Sequence, residues 1–179
     1  LCERLLPALL AGADQRQARS LARAGNELPG GAFGERLIDA EVAQMHAFAT
    51  QLRAKLAADP VPLPPQRFDF LIDGELWQLA AGIGDLRADG LLHYRYARLT
   101  AQDYLSGWID HLFLCACAPT GVVPQTEWLS SDGGYRLRPC PEDEAHRHLA
   151  DLLALYRQGL SQPIPFFPKS AWAYMTATG

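Results

Sequence analysis

Lysine is nearly absent from this chain. Only Lys55 and Lys169 occur among 179 residues, against 14 arginines. Arg keeps its proton under all ordinary conditions, so the chain has few groups for chemistry that needs a titrating amine. Arg suits bidentate contacts to carboxylates or phosphates, and the bias admits ion pairs and DNA contacts alike. There is no Cys-x-x-Cys pair among Cys2, Cys115, Cys117 and Cys140. Neither a zinc knuckle nor a thioredoxin-like site is therefore indicated, and four reduced structural thiols in a cytoplasmic protein are expected. Cys115 and Cys117 stand two apart, so on a helix they do not face each other. No long apolar run and no leader segment is present, so no membrane contact is expected. Internal repeats are also lacking. The net charge of −4 and a pI near 5.7 argue against a protein that coats nucleic acid, although a local basic strip remains open. The chain starts on Leu1, and a piece of a longer chain is expected.

What is there is 49% hydrophobic and 20% charged, the composition of a globular domain. Its centre is the stretch 67–117. Phe68, Phe70 and Ile72 alternate with Asp69, Leu71 and Asp73, which predicts a strand, and Asp73-Gly74 predicts a two-residue hairpin turn. A second strand is expected over 75–83, a polar loop over 84–90 and a third strand over 91–97. Thr100 and Asp103 form a helix-capping pattern, followed by an apolar stripe of Tyr104, Leu105, Trp108, Leu112 and Cys115.

The flanks are built to cover that unit. Residues 1–24 read as helical with an interruption near Gly12. A loop is expected over 26–31. A long helix should run from Phe33 to about Ala58, with Phe33, Leu37, Val42, Met45, Phe48, Leu52 and Leu56 on its core face. The Pro-rich 59–65 is an extended connector. After a turn at 118–121, strands at 125–130 and 135–138 form a hairpin around 131–134. An acidic start at 141–144 opens a helix whose core face is Leu149, Leu152, Leu153 and Tyr156, ending at Gly159. The expected class is mixed α/β, a small sheet flanked by helices, in one domain: a helical segment 1–30, a core 31–161 and an aromatic tail 162–179 that the end of the chain cuts short.

This order of strands suits a metal-dependent nuclease, in which one acid on a strand end and an acid–x–Lys pair on the next strand bind Mg2+ and position water. Asp85 stands where the first acid belongs. His93 replaces the second acid and Arg95 the lysine. Neutral imidazole is a poor Mg2+ ligand. No catalytic residue and no metal ligand is therefore expected, and Asp85, His93 and Arg95 are degenerate positions. Asp85 reads as a turn residue or as a relic ligand; His93 and Arg95 as phosphate contacts or as a covered sheet face. Arg95, Arg98, Arg136 and Arg138 are the candidate nucleic-acid-binding residues, with aggregation-proofing of an edge strand as the plainer reading of the hairpin pair. His146 and His148 stand two apart, which is wrong for one ligand face. His111 reads as a packed histidine, and the aromatic tail as a docking strip or as core.

Four segments carry a family resemblance: Leu28-Pro-Gly-Gly-Ala-Phe-Gly34, Gly90-Leu-Leu-His-Tyr-Arg95, Trp108-Ile-Asp-His-Leu112 with Cys115-Ala116, and Phe166-Phe-Pro-Lys-Ser-Ala-Trp172. In order and spacing the chain resembles the C-terminal domain of RecC, the gamma chain of bacterial exodeoxyribonuclease V (RecBCD). The resemblance implies a PD-(D/E)XK restriction-endonuclease-like core that has lost its catalytic residues. It implies a scaffold and DNA-handling role in duplex unwinding, strand separation and Chi-regulated end processing during double-strand break repair. The implied partners are the beta and alpha subunits (RecB and RecD) and DNA. The domain itself would need no cofactor, while partner subunits use ATP and Mg2+. Two alternatives stay open: an active nuclease with ligands migrated to Glu41, Asp85 and Glu75, and a pure protein-interaction domain.

Overall fold

A computed structural model describes residues 2–25, 31–165 and 167–178. Residues 26–30 of the expected loop and part of the Leu28–Gly34 segment therefore lie outside the described residues, as does Phe166, while Gly31 opens a helix. The backbone falls into two compact units. The first holds Leu1–Asp59, Tyr94–Arg98 and Leu129–Gly134, and the second holds Pro60–His93, Leu99–Trp128 and Tyr135–Gly179.

In the first unit, helices α1 (Cys2–Leu10) and α2 (Gln15–Ala24) pack on α3 (Gly31–Leu56). Gly12, at φ 100°, makes the break between α1 and α2, a conformation that costs glycine little. Asp14 then caps α2 by accepting from the Gln17 amide at 2.7 Å, while the Gln17 side chain accepts from the Asp14 amide at 3.0 Å. Ala18 and Ala22 are fully covered, so their small side chains let α2 lie close to its neighbours. Leu5, Leu9, Ile38, Val42, Met45 and Ala49 complete that core. The expected face of α3 is shifted at its start: Phe33 is 68% exposed, and Gly34 and Ile38 take the inward positions.

In the second unit, β1 (Gln66–Ile72) and β2 (Glu75–Ala81) form an antiparallel hairpin in which Ile72 pairs with Glu75. Asp73 and Gly74 both take positive φ, 49° and 82°, which is what the tight turn demands of its two central residues. Phe70 and Ile72 pack with Leu112, Phe113, Ala145 and Leu149 in a single core. Leu71 and Leu76, on the opposite face, remain exposed.

The loop expected over 84–90 contains a short strand, β3 (Leu86–Arg87), paired antiparallel with β4 (Gly90–Arg95). Helix α4 (Ala101–Cys117) follows, then β5 (Thr126–Ser130) and β6 (Gly133–Leu137). The strands form one sheet in the order β3-β4-β5-β6, separate from the β1-β2 hairpin. The expected three-stranded meander is therefore divided. The stretch Gly82–Asp85 ends the β2 ladder, and Asp85 turns the chain at φ 51°. The Val123 amide donates to the Ala88 carbonyl at 2.8 Å and the Leu91 amide to the Gln125 carbonyl at 2.9 Å. Both partners climb together, so β4 and β5 run parallel with α4 as the crossover between them. Gly90, at φ 127°, lies against the Gln125 backbone, where a Cβ would overlap it.

Thr100 caps α4 as expected, with the Asp103 carboxylate accepting from the Thr100 amide at 2.7 Å. From Gly107 onward α4 buries residues on several sides, not one stripe. α5 (Glu142–Ser161) runs through Gly159, which does not stop it, and Tyr156 is 60% exposed with its ring in edge contact with Trp77. α6 (Pro168–Thr178) closes the described chain. No helix among the described residues is long and apolar enough to cross a membrane. Six helices with small sheets make the mixed α/β class expected.

Candidate functional site

Asp85 lies in the turn before β3 and is exposed. Its contribution is a backbone one: its carbonyl accepts from Arg87 Nη1 at 2.9 Å and from the Leu92 amide at 3.4 Å. An Asp in the left-handed region is tolerated because its short side chain suits that conformation. His93 points elsewhere. Its Nε2 is 3.2 Å from the Asp110 carboxylate of α4, close enough for an ion pair but not aligned as a hydrogen bond. Its ring stacks on Trp128 of β5, centroids 4.8 Å apart and planes at 22°. A cavity of about 130 Å³ beside them is lined by Ile83, Gly84, Leu91, His93, Asp110 and Phe113. One carboxylate and one imidazole on an otherwise apolar wall do not make the paired acids that a divalent cation needs.

Arg95 falls in the first unit, exposed at the end of β4. Arg98 Nε is 3.3 Å from Asp132, and Arg136 Nη2 is 3.4 Å from Glu127. Two of the four candidate DNA-binding arginines thus face acids of their own unit. Arg138 is exposed on the connector after β6, and its backbone lies beside the His111 ring. Glu75 and Glu41, expected as alternative ligands, have partners of their own. Glu75 is held by Arg157 at 3.0 Å, which also takes Asp73 at 2.6 Å, and this guanidinium keeps the Glu75 carboxyl below its ordinary range. Glu41 faces Tyr96 within the first unit.

Two arrangements on α4 were not found by sequence reasoning. One is an aromatic series. Trp128 is followed by Tyr135 at 6.4 Å, Tyr104 at 4.7 Å from Tyr135, and Trp172 of α6 at 4.1 Å from Tyr104, with each pair near-parallel. Gly107 is what admits it, because a methyl there would overlap Trp128 Nε1 and the Tyr135 hydroxyl. Those two polar atoms are buried without a hydrogen-bond partner. Trp128 and Tyr135 stand on the two strands expected to form a hairpin, but nothing in sequence placed Tyr104 and Trp172 with them.

The other is a cluster of His111, Cys115 and Cys140, whose side-chain donor atoms all lie within 4.8 Å of one another. His111 and Cys115 are one turn apart on α4, a spacing visible in sequence, whereas Cys140 comes from the connector between β6 and α5. Cys115 Sγ is 3.6 Å from His111 Nε2 and 3.4 Å from the Pro124 carbonyl. His111 Nδ1 lies 3.1 Å from the Thr126 hydroxyl. Burial favours the neutral imidazole of His111 and raises the Cys115 thiol well above its ordinary value.

A family profile described as the RecC C-terminal domain matches residues 1–179. The RecBCD enzyme subunit RecC of Escherichia coli (strain K12) is 29% identical to the chain over 173 residues, 97% of the chain. The chain spans 15% of the length of that relative.

Proposed function

The chain belongs to the RecC C-terminal domain family, and on that premise we propose that it is a non-catalytic, nuclease-like domain of the gamma subunit of a RecBCD-type complex. Its role is to scaffold the subunits and help handle DNA during unwinding, strand separation and Chi-regulated end processing in double-strand break repair. It is one domain of a longer cytoplasmic chain. Its partners are the beta and alpha subunits, RecB and RecD, and DNA within the assembly, with ATP and Mg2+ used by the partner subunits and not by this domain.

The observation that carries the non-catalytic reading is the fate of Asp85 and His93. A nuclease of this kind brings two carboxylates and a lysine to one cation and one water. Here Asp85 serves a turn through its carbonyl, and His93 is packed on Trp128 against Asp110. Arg157 on Glu75 argues in the same way against a migrated site. The docking role draws on exposed apolar side chains along the last two helices and the connector between them: Leu155, Tyr156, Leu160, Phe167 and Tyr174. Aromatic anchors of this sort dominate protein interfaces.

The test is Asp85→Asn in the chain assembled with its partner subunits. Unwinding and cleavage by the complex should both be retained. Loss of cleavage with unwinding intact would show a catalytic Asp85 and overturn the reading. The Arg98–Asp132 and Arg136–Glu127 pairs favour a second reading, a domain that binds protein and never DNA. Reversing charge at Arg95, Arg98, Arg136 and Arg138 separates the two: strand separation drops if the domain handles DNA and is unchanged if it only docks.

A further inference from the structure

We infer that His111, Cys115 and Cys140 form a metal site for a borderline-soft divalent cation of the zinc class. The site stands on side-chain geometry in the second unit alone and does not depend on the proposed role in a DNA-processing complex. Two thiolates and an imidazole are a donor set that selects zinc over Mg2+ or Ca2+, which take oxygen ligands. Ligands one turn apart on α4 present Nε2 and Sγ to the same point, and these atoms are already 3.6 Å apart. Tetrahedral zinc with bonds of roughly 2.0–2.3 Å holds its donors roughly 3.3–3.8 Å from one another. The three donors lie within 4.8 Å, so closing the set takes a movement of about one ångström. Cys140 can supply it, because it sits on a connector outside any helix or strand and is only partly buried.

The surroundings support ligation by Nε2. The other ring nitrogen, Nδ1, is 3.1 Å from the Thr126 hydroxyl, and Thr126 is itself fully buried. A ligating histidine ordinarily gives its second N–H to such a partner, which fixes tautomer and ring orientation. With the metal bound, His111 Nδ1–H donates to Thr126 and the two thiols bind as thiolates, releasing their protons to solvent. Water takes the fourth position on the partly exposed Cys140 side. The bound ion links α4 to the connector that leads into α5. Cys117, also on α4, is outside the group and serves as an internal control.

The full chain, purified reduced and without oxygen, should retain about one zinc ion after dialysis, measured by plasma mass spectrometry. Cobalt substituted for zinc should give the intense visible bands of a tetrahedral site and a thiolate charge-transfer band in the near ultraviolet. Cys140→Ser should remove that charge-transfer intensity in part and weaken retention. Cys117→Ser should change neither. Thr126→Val should weaken binding by about 10- to 100-fold without changing the ligand set. If Cys140→Ser fails to fold, the cobalt spectra of the parent chain and Cys117→Ser decide. The proposal is overturned if the reduced chain binds neither ion, if the cobalt spectrum lacks thiolate charge transfer, or if Cys140→Ser matches the parent.

Discussion

Two histidines face α4 or stand on it, and their surroundings differ in kind. His93 comes from β4, where the sequence reading expected a lost acid, and it meets a flat indole and one carboxylate. His111 comes from a helix stripe that reads as plain core, yet it meets two sulfurs and a hydroxyl. The residue type is the same. What separates them is the number of donors that converge. A single charged neighbour orients a ring; three donors at one point can hold an ion.

That contrast is sharpened first by removing what His93 leans on. Trp128→Ala, at a side chain only 8% exposed, should lower stability by about 3–5 kcal/mol in urea unfolding. His93→Gln should cost much less and leave metal content unchanged, while His111→Gln should abolish it. If His93→Gln were the change that lost metal, the two sites would have been assigned the wrong way round. Next comes Gly107→Ala. The added methyl meets Trp128 and Tyr135 in a filled space, and overpacking should cost about 1–3 kcal/mol. A neutral result would mean that the aromatic series relaxes freely.

Smaller effects follow at the periphery of the comparison. Thr100→Ala removes the cap of the helix that bears His111 and should cost about 1 kcal/mol by the same urea assay. In the first unit, burial, with Glu41 nearby, pushes the Tyr96 phenol up to about 12 from an ordinary 10.0. A raised folded pKa means that the folded state holds the proton more tightly. Its stabilisation is complete below pH 10 and is lost as pH rises through about 12. Burial delays Tyr135 as well, so tyrosinate absorbance should show two delayed phenols whose ionisation tracks loss of fold, and Tyr96→Phe should remove one of them. Smallest is Arg136→Ala, a surface ion pair whose loss should change stability by less than about 0.5 kcal/mol.

How much was legible in sequence follows the same division between local and long-range information. The Asp73-Gly74 turn and the Thr100 cap were readable because each depends on residues within one turn. So was the break at Gly12. The start of α3 was misread because a three-to-four spacing fits Phe33 and Leu37 as well as Gly34 and Ile38, and only packing against α1 and α2 decides. Leu86 and Arg87 looked like loop, since two residues between glycines and aspartates carry no period; they form a strand because β4 supplies the partner. Gly159 has weak helix propensity but stays helical inside α5.

At the candidate site, the residue types His93 and Arg95 were legible, but the neighbours of His93 were not, because Asp110 and Trp128 lie on other elements. Cys140 was beyond reach for the same reason: only the fold brings it to α4.

The most direct test of the central claim is a nuclease assay on the purified full chain, free of other subunits, with Mg2+ and with Mn2+, on single- and double-stranded DNA. A His93→Asp/Arg95→Lys variant is run beside it. The account predicts that the parent chain leaves both substrates intact. Metal-dependent cleavage by the parent chain, lost on Asp85→Ala, would contradict it and return Asp85 to a catalytic role.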